Sequence, residues 1–128
     1  MKKKIKRVWS TQVADRKFSE FIRNRDGMCM RCHKESGLQC SHFWGRGFSA
    51  TRYDPENCIT LCYPCHYGNS KGWEYEKQGE YREFMINWLG KDKYNDLEEW
   101  HREIIPLRKA KQECMEWLKP LRKNENNK

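Results

Sequence analysis

The feature that most constrains this chain is a matched pair of cysteine turns, Cys29-Met30-Arg31-Cys32 and Cys62-Tyr63-Pro64-Cys65, with 29 residues between them. Each turn brings two thiolates to one point, and two such turns supply the four sulfurs of a closed tetrahedral zinc site. Thiolates prefer that ion to hard cations such as Mg²⁺. A staple of this kind helps a short chain whose own core is modest. Of the 128 residues, 37% are hydrophobic and 34% are charged, so a modest core is what composition allows. The cysteine count is seven, an odd number. No apolar run approaches the ~18 residues of a membrane span, and no signal-peptide apolar segment opens the sequence. The expectation is a cytoplasmic chain whose reduced thiols bind metal instead of forming a disulfide framework. Cys58, Cys62, Cys65 and His66 offer a rival ligand set. The two turns are preferred because they staple distant parts of the chain, which leaves Cys40, Cys58 and Cys114 as small apolar residues. A closed four-thiolate site has no position for substrate, so its expected role is structural.

The formal net charge of +8 favours a polyanionic partner such as nucleic acid. It is unevenly spread. Residues 1–28 hold nine Lys/Arg against three Asp/Glu, whereas residues 73–128 hold twelve of each. The opening "MKKKIKRV" is a basic arm suited to a phosphate backbone, or a solvated end.

Periodicity divides the chain into four parts. Residues 1–28 are the basic arm and a helix, with Val13, Phe18, Phe21 and Ile22 at helical spacing. Residues 29–79 hold the cysteine turns, two short strands near 38–43 and 58–61, a loop over "WGRGFSATRYDPEN" and a helix from Tyr63. Residues 80–122 carry three apolar stripes: Tyr81 to Leu89, Leu97 to Ile105, and Leu107 to Leu121. Gly90 and Pro106 punctuate them. Such stripes pack a core or form a dimer face. Residues 123–128 read as a frayed tail. The fold class is α+β, a small zinc-stapled core with flanking helices and a helical C-terminal region.

Between the cysteine turns run His42, Asn57 and His66 in that order. This order within a zinc frame resembles the HNH (ββα-metal) nucleases, over about residues 29–72. The resemblance implies two strands, a loop and a helix around one divalent cation, Mg²⁺ or Mn²⁺. It makes His42 the general base, Asn57 the residue that ties the loop down and orients His42, and His66 the ligand of the catalytic cation. An imidazole with a pKa near 6.5 suits base work at neutral pH. Many members place Asp or His before the base as a second ligand, where this chain has Ser41. Asn69, one turn beyond His66, is the candidate replacement. Asp54 in "TRYDPEN" could also assist, although a turn-capping role suits it better.

The string "LQCSHFWGRGFSATRYDPENCITLCYPCH" is similar to the NinG/Rap phage recombination endonucleases, which show LQ-x-x-HF, T-R-[FYW]-D-x-x-N and C-x-x-C. Members usually carry Asn where this chain has His66. The resemblance implies cleavage of branched DNA, such as Holliday junctions and D-loops, in a phage-infected bacterial cell, with recombination proteins as partners. Arg46, Arg52 and Lys71 are candidate phosphate contacts. Trp44 and Phe48 would either wedge at a branch point or cover the core. Two symmetric cuts at a four-way junction would suit a homodimer. Two other readings stand beside this one. They are a sequence-specific HNH nuclease of the homing or restriction type, and a zinc-stapled DNA-binding module without catalysis.

Overall fold

The computed structural model describes residues 7–126, with side chains described as far as Leu118. Residues 1–6 of the basic arm therefore lie outside the described residues, as do 127 and 128.

Helix α1 (Thr11–Asp26) begins where Ser10 Oγ accepts the Val13 amide at 3.2 Å and ends on Gly27, whose φ of 71° few side chains tolerate. Strand β1 (Leu38–His42) pairs antiparallel with β2 (Cys58–Cys62). The register sets Leu38 opposite Cys62 and His42 opposite Cys58. These two strands are the whole sheet. Between them, the stretch expected to be an irregular loop contains a short helix, α2 (Ser49–Arg52), and a 3₁₀ turn at Pro55–Asn57. Asp54 caps that turn by accepting the Glu56 amide at 2.9 Å, with Pro55 in the first helical position. Helix α3 (Tyr63–Tyr67) follows β2 directly, then α4 (Gln78–Leu89), α5 (Lys91–His101) and α6 (Leu107–Asn126).

Every residue of β2 is buried because both faces of the small sheet are covered. Ile59 and Leu61 pack with Trp73, Tyr81, Met85, Tyr94 and Leu97, so α4 and α5 cover one side. Cys58 packs with Phe18, Ile22, Tyr53, Cys114 and Leu118, so α1 and α6 cover the other. This burial explains why "CITL" lacks the alternation of a half-exposed strand, its one polar side chain, Thr60, donating to the Ile22 carbonyl at 3.2 Å. Polar bonds fix α1 along the sheet. Asp26 accepts the Thr60 amide at 2.9 Å, and Arg25 donates to the Cys58 carbonyl at 2.7 Å.

The three C-terminal stripes become the three expected helices, with two differences. Helix α5 stops at His101, so Ile104 is 96% exposed and Ile105 packs on the α1/α6 cluster. Helix α6 continues through Asn126, into the stretch expected as a frayed tail. Much of the supposed dimer face is turned inward, since Tyr81, Met85, Leu97, Cys114 and Leu118 are buried within the chain. No helix among the described residues is long and apolar enough to cross a membrane.

Candidate functional site

Cys29, Cys32, Cys62 and Cys65 converge, with all four sulfurs within 4.8 Å of one another and none in a disulfide. The Sγ atoms of Cys32 and Cys62 are 3.6 Å apart. A tetrahedron with metal–sulfur bonds of ~2.3 Å has edges of roughly 3.8 Å, so the donor set and its size fit. Burial raises the Cys29 thiol, but N–H groups of both turns, led by those of Cys32 and Cys62, outweigh it and bring the pKa to about 7. This tetrad can hold a metal ion such as zinc. The rival set does not assemble. Cys58 lies instead with Cys40 and His42, also within 4.8 Å. Complete burial, with the neighbouring Cys40, pushes the Cys58 thiol well above its usual range.

Along β1 lies a cleft of about 480 Å³ whose walls include Gln39, His42, Arg46, His66, Tyr67, Glu74 and Tyr75. His42 closes β1 and packs on the ring of Phe18. Its Nε2 lies 2.9 Å from the Arg52 carbonyl. A carbonyl only accepts, so Nε2 carries the proton and Nδ1 keeps the free lone pair. Burial, helped by the nearby Arg46 and Arg52 charges, lowers the pKa of His42 to about 4 against the pull of the Arg52 carbonyl and Asp15. This corrects the expectation of a value near 6.5. At neutral pH the ring is uncharged.

Asn57 is fully buried, and its amide holds the α2 loop from both ends. Its Oδ1 accepts the Trp44 amide at 2.9 Å, while Nδ2 donates to the carbonyls of Trp44 at 2.9 Å and Thr51 at 3.1 Å. Thr51 precedes Arg52, whose carbonyl holds His42, so Asn57 fixes the loop that sets the imidazole's direction.

His66, on α3 beside the last tetrad cysteine, is buried, with its ring 3.8 Å from that of Tyr67. Its Nδ1 meets Gln39 Oε1 at 2.9 Å, and its Nε2 faces Glu74 Oε2 at 3.4 Å. Ser41 points away from the cleft, where its hydroxyl bonds the buried Tyr81 phenol at 2.8 Å.

The remaining sequence candidates separate. Arg46 lines the cleft, about 59% exposed, and reaches Asp15 at 3.6 Å. Arg52 is committed to structure. Its guanidinium clasps both oxygens of Asp15 at 3.1 and 2.7 Å and donates to the Arg46 carbonyl at 3.0 Å. Burial raises the Asp15 carboxyl, but the bonds from Arg52 and Tyr53 and the charges of Arg52 and Arg46 hold it below the usual range. Lys71 and Asn69 are exposed on the turn after α3 and are not among the cleft walls. Trp44 stacks on His101 at 3.7 Å, so it covers the core. Phe48 stays 44% exposed. Gln39, Glu74 and Asp15 are the site residues that sequence reasoning missed. Gln39 carried a signal in "LQCSH", but nothing local marks Glu74 among 18 acidic residues. No family model matches the chain, and no curated protein or solved structure matches it either.

Proposed function

We propose that this chain is a metal-dependent DNA endonuclease of the HNH kind that cuts branched recombination intermediates, as its NinG/Rap-like string implies. One observation carries the reading. His42 and His66 line the same cleft, and the Arg52 carbonyl, on the loop that Asn57 holds, takes the Nε2 proton of His42 and leaves Nδ1 proton-free.

In this reading the tetrad holds structural zinc and stays out of the chemistry. His42 Nδ1 takes a proton from the water that attacks phosphorus. The phosphorus–O3′ bond breaks, and the departing oxygen acquires its proton from solvent. A neutral imidazole is ready for this without first losing a proton. Arg46, exposed at the cleft wall, supplies positive charge to the phosphodiester. A divalent cation at His66, Mg²⁺ or Mn²⁺, supplies charge stabilisation for the scissile phosphate and the leaving oxygen when bound. Tyr67, 39% exposed, and Tyr75, 73% exposed, put aromatic faces at the cleft on which unpaired bases of a branch can stack. A homodimer would supply two cuts, and light scattering with and without a four-way junction tests it.

The test compares wild type with His42→Ala on a four-way junction, a D-loop and linear duplex of the same sequence, in Mg²⁺ and in Mn²⁺. The expected result is preference for branched DNA and a loss of roughly 10²–10⁴-fold in rate on substitution. Equal cutting by His42→Ala sinks the assignment. Preference for one linear sequence supports a homing-type enzyme, and binding without cutting supports a zinc DNA-binding module.

A further inference from the structure

We propose that Glu74 is the second protein ligand of the cleft cation, paired with His66 Nε2, and that Gln39 positions His66 for that purpose. The inference deepens the nuclease reading and rests on it for the class of cation.

Three observations converge. Gln39 Oε1 can only accept, so at 2.9 Å it fixes a His66 proton on Nδ1, which in the neutral ring leaves the Nε2 lone pair free. A metal-ligating histidine is oriented in this way, through a bond on its other nitrogen. Second, the lone pair of Nε2 faces a carboxylate oxygen of Glu74 at 3.4 Å. Two electron-pair donors at this range need a cation or a proton between them. Adjacent ligands of an octahedral ion at ~2.1 Å lie roughly 3.0 Å apart, so a movement of a few tenths of an ångström closes the pair on one ion. Third, both groups line the cleft that contains His42. Ser41, the position from which a second ligand would otherwise come, is buried against Tyr81 on the far side. Glu74 reaches the site because its amide bonds the His66 carbonyl at 3.0 Å, which folds the chain after α3 back on itself. An imidazole with one carboxylate suits Mg²⁺ or Mn²⁺ with water completing the shell.

The experiment titrates Mn²⁺ alone into the zinc-loaded full chain and follows the free Mn²⁺ signal by electron paramagnetic resonance. Glu74→Gln and Gln39→Ala are compared with wild type and with Glu76→Gln, a nearby exposed carboxylate outside the cleft. Thermal melting verifies that each variant is folded. The expected result is one Mn²⁺ site weakened about tenfold or more by Glu74→Gln and by Gln39→Ala, with Glu76→Gln unchanged. Unchanged affinity in Glu74→Gln overturns the proposal, and the carboxylate is then only a hydrogen-bond partner of a protonated His66. Equal weakening by Glu76→Gln overturns it too, as a general charge effect. Glu74-dependent Mn²⁺ binding in a wild type that cuts no DNA upholds the ligand pair and removes the nuclease reading. His42-dependent cutting with Mn²⁺ affinity indifferent to Glu74 does the reverse.

Discussion

The thiol tetrad and the imidazole cleft are neighbours on one hairpin: Cys62 pairs with Leu38 of the cleft wall, and Cys65 immediately precedes His66. They are held in different ways. The tetrad is made by two local turns, each placing its own pair of sulfurs, and needs only that the turns meet. The cleft draws on β1, the α2 loop, α3, the turn after it and α1, and each donor is aimed by a bond from another element. A closed ion site can be specified by spacing, whereas a reacting site needs directions, and directions come from the whole fold.

Removing the ion should give the largest effect. Structural zinc contributes on the order of 10 kcal/mol to small domains of this kind. A chelator or Cys62→Ser should therefore collapse melting and release the hairpin, and with it the cleft. A stripped protein that melts as before would show that the helices alone hold the strands together.

Asn57→Ala comes next. It leaves the Trp44 amide and two buried carbonyls without their partner, a cost of about 2–4 kcal/mol in urea denaturation. If the cleft depends on aimed loops, cutting should fall further than stability accounts for. Loss of stability alone would make Asn57 a plain core amide.

The titration of His42 gives a subtler measure. Its folded pKa of about 4 lies below the ordinary 6.5, so protons favour the unfolded chain. Its contribution is fully present above pH 6.5 and is lost as pH falls from 6.5 toward 4, by about 3 kcal/mol at most. His42→Ala should remove that part of the slope. Ring-proton NMR should find a midpoint near pH 4 for wild type, and a midpoint near 6.5 would mean that the ring is solvated instead of buried.

How much of this was legible in the sequence follows the same division. The tetrad could be read because Cys-x2-Cys geometry is local. Among the described residues, α1, α4, α5 and α6 followed from apolar periodicity and the two strands and α3 from short local stretches, whereas the four residues of α2 are too few to show a period. Gly90 and Pro106 marked the breaks between the C-terminal helices, but the stop of α5 at His101 carried no glycine or proline of its own. His42, Asn57 and His66 could be placed by their order. Their partners could not. Arg52 looked like a phosphate contact until Asp15, 37 residues away, proved to hold it. Asn69 looked closer to His66 than Glu74 along the chain, yet the turn after α3 sends Asn69 outward and brings Glu74 back.

The most direct test of the account is anomalous diffraction from crystals of the zinc-loaded protein soaked in Mn²⁺. The account predicts two metals, zinc among the four tetrad sulfurs and manganese at His66 Nε2 and Glu74, facing Nδ1 of His42. Manganese bound elsewhere, or a metal held by Cys40, His42 and Cys58, would contradict it, because His42 would then be a ligand and unable to serve as a base.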